Sequence, residues 1–209
     1  MFVDRIEAGE KLAEELREYK DKDCVVVAIP RGGVIVADQV ARELDCPLDL
    51  IITRKIGAPG NPELAMGAVA GENRVVISED VKAGLGASEE YIQAEVAKQL
   101  SEIKRRRRIY VGEKSPLSLK NKIVILIDDG LATGYTARVA VDAIRKEDPS
   151  QIILAVPVAP RDTCESLSSK ADKVVCLDRP GLFYAVGQFY VDFSQTTDDE
   201  VVEIMKKYR

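Results

Sequence analysis

Three short runs of the 209-residue chain, Cys24–Ile29, Ile123–Ile127 and Ile152–Val158, carry no charged side chain and, one thiol apart, nothing polar. A strand that is apolar on both faces must be covered on both, which is the condition of a central strand in a parallel sheet clad by helices. The runs alternate with segments of helical spacing: 7–20, where Leu12, Leu16 and Tyr19 recur among charges, then Val34–Leu44, 137–147 and 161–170. Leu48–Thr53 and Val174–Leu177 read as two further strands. Strands separated by helices imply βαβ units, so the expected fold is α/β, a mostly parallel sheet flanked by helices. The length suits one domain, and no repeat or linker divides residues 1–209.

The middle of the chain breaks this rhythm. Residues 55–63 hold two glycines and two prolines and read as a loop. Leu64–Ala70 and Arg74–Ser78, joined through Gly71-Glu72-Asn73, read as a hairpin. Ser88 is placed to cap a long helix with Glu89 and Glu90 in its first turn and Lys104–Arg108 near its far end, a charge order that complements the helix dipole. Thr197-Asp-Asp-Glu200 has the form of a capping box for a last helix over 198–208.

Histidine is absent. That excludes a Ser-His-Asp triad, a Cys-His pair, a histidine-ligated metal and an imidazole base. Carboxylates, amines, hydroxyls, backbone amides or an oxygen-bound metal must carry any chemistry. Thirty Lys and Arg against 35 Asp and Glu give a net charge of −5, a poor match to nucleic acid, whose binding needs a basic excess. The run Lys104-Arg-Arg-Arg-Arg108 does not change this: successive helical residues lie ~100° apart, so the arginines encircle the helix. They read as a solvated helix end or a subunit contact. Cys24, Cys46, Cys164 and Cys176 form no CxxC pair and read as buried free thiols. Residues 1–16 hold no apolar core of signal length, and no run approaches a membrane span. A reducing cytoplasm is therefore the expected compartment.

The chemistry concentrates in Ile123–Thr136, IVILIDDGLATGYT. A buried strand delivers Asp128 and Asp129 at its carboxyl end, where open α/β sheets bind ligands. The loop that follows, Gly130, Leu131, Ala132, Thr133, Gly134, Tyr135 and Thr136, can offer backbone N–H groups, hydroxyls and a helix N-terminus to a phosphate. The two carboxylates would repel that anion but suit the vicinal hydroxyls of a sugar. The residues suggest a phosphorylated sugar.

This segment resembles the PRPP-binding motif of the type I phosphoribosyltransferase family: an apolar run, two acidic residues, two usually aliphatic ones, two small or hydroxyl residues, glycine, any residue, and threonine or serine. Gly130 replaces the aliphatic residue after the acidic pair, which is expected to loosen the loop. Val27-Ala-Ile-Pro-Arg-Gly-Gly33 resembles the family's pyrophosphate loop, with Arg31 supplying charge and Gly32 and Gly33 exposing N–H groups. Arg54 and Lys55, at the base of the mobile loop that the family carries after its second strand, are further pyrophosphate candidates; the other reading is strand-end charge in solvent.

The resemblance covers residues 1–190 and implies Mg²⁺-dependent transfer of a 5-phosphoribosyl group from 5-phosphoribosyl 1-pyrophosphate (PRPP) to a nitrogenous acceptor, with release of pyrophosphate. Asp128 and Asp129 would bind the ribose and, through water or the ribose hydroxyls, Mg²⁺; with Arg31 they are the candidate catalytic groups. Residues 55–111 would form an inserted loop, hairpin and helix, and 179–209 a C-terminal hood and helix. In the hood, Phe183 and Tyr184 read either as a stacking platform for the acceptor or as core beneath the last helix. Ala132 stands where the 6-oxopurine branch carries an acidic residue, which argues against that branch. The family also implies a homodimer. The alternative is a non-catalytic protein that senses PRPP or a nucleotide.

Overall fold

The computed structural model describes residues 1–71, 74–77 and 84–208. In chain order the elements are α1 (Arg5–Glu15), β1 (Cys24–Ala28), α2 (Gly32–Leu44), β2 (Leu48–Leu50), β3 (Thr53–Ala58), β4 (Asn61–Ala70), β5 (Arg74–Ile77), α3 (Glu89–Val111), β6 (Ile123–Ile127), α4 (Tyr135–Arg145), β7 (Gln151–Val158), α5 (Arg161–Leu167), β8 (Lys173–Asp178) and α6 (Asp198–Lys206). Five of the strands make a parallel sheet in the order β2-β1-β6-β7-β8. Alternate residues of its inner strands feed two separate cores. Val26, Ala28, Ile125, Ile127 and Ile153 pack with Leu12 of α1, Leu16 at its C-cap, and Val36 and Val40 of α2. Val25, Val27, Val124, Leu126 and Leu154 pack with Val139 and Ile144 of α4 and Leu167 of α5. This is the arrangement that the fully apolar runs require.

The stretch 55–63 is strand rather than loop. β3 and β4 form an antiparallel hairpin from Thr53↔Ala70 to Ala58↔Asn61, and β5 extends it to a three-stranded sheet. Of the glycines and prolines that look like punctuation, only Pro59-Gly60 turns the chain, and Gly57 lies at register shifts of the ladder. The expected strand Leu48–Thr53 ends at Leu50, and Thr53 already belongs to the hairpin. The connection through Glu72 and Asn73, and Ser78, lie outside the described residues.

The caps read from the sequence are in place. Ser88 Oγ accepts the Tyr91 N–H, and Thr197 and Glu200 form the capping box of α6. The arginine run encircles α3 as its spacing demands: Arg105 and Arg106 meet Glu102 at 2.7 and 2.8 Å, Arg108 meets Glu113 at 2.8 Å, and Arg107 turns inward to Asp49 at 3.1 Å. The thiols depart from expectation. Cys24, at the start of β1, and Cys46, in the turn before β2, are joined as a disulfide with Cα atoms 6.1 Å apart; Cys164 and Cys176 are free. Parallel pairing of β1 with β2 sets the two bonded residues side by side, a proximity that their separation in sequence does not reveal. No helix among the described residues is long and apolar enough to cross a membrane.

Candidate active site

β1 and β6 are neighbours in the sheet, Ala28 beside Ile127, although the chain winds outward from β1 to β2 before returning to β6 on the other side. Their carboxyl ends open on the crevice where the winding reverses, the usual ligand position in open α/β sheets. The loops that leave the two strands touch there. A methyl group on Gly33 would lie 2.9 Å from Asp128 Cα, and one on Gly32 would fall on the Asp129 carboxylate. Such an approach needs residues without side chains. The Pro30–Arg31 peptide bond is cis.

Burial, and then the charge of Asp129, raise the Asp128 carboxyl well above the ordinary carboxylate range; its Oδ1 accepts the Asp129 N–H at 2.9 Å. Asp129 is held from the two ends of the chain. Arg5, in the first turn of α1, donates from Nε to Asp129 Oδ2 at 2.7 Å and from Nη1 to the Ser194 carbonyl at 2.9 Å, while its guanidinium carbon lies 3.9 Å from the centre of the Phe193 ring. Tyr190 donates its hydroxyl to the Asp129 carbonyl at 2.5 Å, and burial raises the pKa of that hydroxyl so that it stays a donor. Arg31, in the loop after β1, sits 3.6 Å from Asp198 at the start of α6. Asp198 also accepts the Tyr110 hydroxyl of α3 at 2.7 Å, so the inserted helix reaches the Arg31 loop through one carboxylate.

The loop after β6 is pinned from below and open above. Leu131 N–H donates to Val158 and the Ala132 carbonyl accepts the Thr163 hydroxyl at 2.8 Å. Ala132, Thr133, Tyr135 and Thr136 are exposed, and Gly134 is the N-cap of α4. The amides of Tyr135, Thr136 and Ala137 open that helix and have no partner within it. They can receive an anion. Gly130 stands at a point of close packing. A side chain there would overlap Val186 of the C-terminal segment and come within 3.0 Å of Val158, so glycine lets the hood pack down onto the acidic pair.

The family described as phosphoribosyl transferase domain matches residues 3–194. The chain belongs to this family. It is also similar to a Mycobacterium tuberculosis protein named "Putative phosphoribosyl transferase Rv0571c", 41% identical over 207 residues, which are 99% of this chain and 47% of that protein. The chain thus spans about half the length of the curated relatives it matches. The crystal structure of TT1426 from Thermus thermophilus is similar over 99% of this chain and 98% of that one, with 39% identity and a TM-score of 0.86.

Within this phosphoribosyl transferase domain the remaining candidates are dispersed. Arg54 donates from Nε to Gln99 of α3 at 3.0 Å, and Lys55 follows it, exposed, on β3. Phe183 stacks on Phe189 with ring centres 5.2 Å apart and joins the small core of Phe2, Val158 and Tyr190. Tyr184 is 85% exposed. The structure brings together Asp128, Asp129, Arg31, Gly32 and Gly33. It adds Arg5, Tyr190, Thr163 and Asp198, which no motif announces. The one local sign is Asp4, an N-cap that starts α1 and so orients the residue after it. Among the described residues no three acidic or thiol side chains are arranged around a metal position. Asp128 and Asp129 offer carboxylate oxygens only, one of them engaged by Arg5. That donor set fits a hard ion shared with substrate oxygens.

Proposed function

We infer that the chain transfers a 5-phosphoribosyl group from PRPP to a nitrogenous acceptor and releases pyrophosphate. The observation that carries this reading is the meeting, at the β1/β6 crevice, of the acidic pair and its amide-lined loop with the Arg31-Gly32-Gly33 loop. In this reading the amides of Tyr135–Ala137, with Thr133 and Thr136, hold the 5-phosphate. Asp128 and Asp129 accept hydrogen bonds from the ribose hydroxyls, and the Gly32 and Gly33 amides with Arg31 face the pyrophosphate.

The C1–O bond to pyrophosphate breaks with its electron pair leaving on the diphosphate, the acceptor nitrogen supplies the pair for the new C1–N bond, and its proton passes to solvent. Positive charge gathers on the sugar during departure, as in glycoside cleavage. Carboxylates fixed beneath the ring favour that charge, and positioning rather than covalent help lowers the barrier. Mg²⁺, when bound, supplies further neutralisation of the diphosphate; Asp128 and Asp129 are the residues of this chain that would hold it, directly or through water.

Pyrophosphate release measured with PRPP, Mg²⁺ and a panel of nitrogenous bases tests the reading. Acceptor-dependent release that vanishes in the Asp128→Asn, Asp129→Asn double variant is expected. PRPP binding without release for any acceptor would point to a sensor. Absence of PRPP binding, or equal binding by the double variant, would overturn both.

A further inference from the structure

We propose that Arg5 contacts the substrate directly, meeting the diphosphate where it joins the ribose; the proposal rests on the function inferred above. The guanidinium is fixed on three sides, by Asp129 at Nε, by the Ser194 carbonyl at Nη1 and by the Phe193 ring against one face. Nη2 has no partner among the described residues, and it is not sealed from solvent. The side chain as a whole is only 10% exposed. An arginine this immobilised, with one N–H edge left open, is preorganised for a further acceptor.

Its position decides which acceptor. Nε stands over both halves of the crevice: it bonds Asp129 on the ribose half, and a methyl group on Gly32 of the other loop would lie 2.7 Å from it. A ligand that sets its hydroxyls on Asp129 and its diphosphate along Gly32 and Gly33 carries the oxygen linking the two beneath this guanidinium. Planar, delocalised charge suits diphosphate oxygens. Arg31, the cation expected from the sequence, is 35% exposed and 3.6 Å from Asp198, a looser placement than that of Arg5. Lysine could not replace Arg5, because its three donors sit on one nitrogen, whereas Asp129, the Ser194 carbonyl and the ligand are met from separate nitrogens of the planar guanidinium.

A clamp that only oriented Asp129 would serve any ribose ligand, whereas contact with the diphosphate serves only ligands that carry one. Calorimetric titration of PRPP and of ribose 5-phosphate into the wild type, Arg5→Gln and Arg5→Lys separates the two, with thermal unfolding confirming that each variant is folded. Both variants are expected to weaken PRPP about 10- to 100-fold and ribose 5-phosphate by less than about threefold, the difference made by one charge-assisted hydrogen bond. Equal weakening of the two ligands, or unchanged PRPP affinity, would overturn the assignment. If Arg5→Gln does not fold, the ratio of the two affinities in Arg5→Lys decides alone. A wild type that binds neither ligand would overturn the inferred function itself, and the assignment with it.

Discussion

Replacing Gly32 by alanine puts a methyl group where the two loops of the crevice meet. Gly32 opens α2 and its backbone is outside the left-handed region. Alanine is therefore tolerated by the main chain, and by itself would stabilise by about 0.4–1 kcal/mol through the unfolded state. The methyl, however, falls on Asp129 Oδ2 and lies 2.7 Å from Arg5 Nε. Both obstacles are side-chain ends, so the carboxylate swings away and the Arg5 bond is lost. Overpacking costs about 1–3 kcal/mol, and a hydrogen bond to a charged group contributes about 1.5–3 kcal/mol. Set against the backbone gain, the expected net loss is about 1.5–5.5 kcal/mol, a fall in Tm of roughly 3–20 °C for a chain of this size. Scanning calorimetry of the wild type, Gly32→Ala, Asp129→Ala and the double variant checks it. With the carboxylate removed the methyl has room, and Gly32→Ala should then cost less than about 0.5 kcal/mol. A higher Tm for Gly32→Ala alone, or the same loss in both backgrounds, would refute the idea that the loops touch through Asp129.

Arg107→Met leaves Asp49 without its ion partner in a site where both side chains are 11% exposed; a loss of about 3 kcal/mol is expected in urea denaturation, while Arg105→Gln, on the exposed side of the same helix, leaves the midpoint unchanged. Tyr110 has its hydroxyl pushed up to about 12, first by burial and then by Asp198. The protonated native form is favoured, so this contribution is complete below the ordinary tyrosine value of about 10 and is lost as the pH rises toward 12. The stability gap between the wild type and Tyr110→Phe should therefore hold to about pH 10 and close above it; a gap that stays constant to pH 12 would contradict the sign. Thr163→Val removes the donor to the Ala132 carbonyl; a cost of about 1 kcal/mol and a several-fold weaker binding of ribose 5-phosphate are expected by calorimetry.

The sheet was legible because its signals are local. Cys24–Ile29, Ile123–Ile127 and Ile152–Val158 are apolar on both faces, and that pattern fits little besides a central parallel strand. Ser88 and Thr197 announce their helices because a cap acts on amides within three residues. Asp128, Asp129 and the loop to Thr136 could be read for the same reason. Gly57 and Pro62 misled where Pro59 and Gly60 did not, since a glycine in a ladder irregularity and one in a turn look alike until the pairing register is known. Arg5 was invisible for a different reason: its partner lies 124 residues away, and an arginine on an amphipathic helix is ordinarily a solvated charge. Phe183 shows the limit from the other side. An aromatic residue fits a stacking platform or a core equally well, and that the Phe189 ring lies against it shows in the structure alone.

Phe2 pairs with Tyr190, and Arg5 reaches Asp129 and Ser194. These contacts close nearly the whole chain into one loop, and closures of that span are the slowest to form. During synthesis α1 leaves the ribosome long before residues 190–194 exist to receive it. On refolding, recovery of ligand binding should accordingly trail recovery of far-ultraviolet dichroism. On that order of events the crevice is set only once Tyr190–Ser194 of the hood have been made and have met α1 and Asp129.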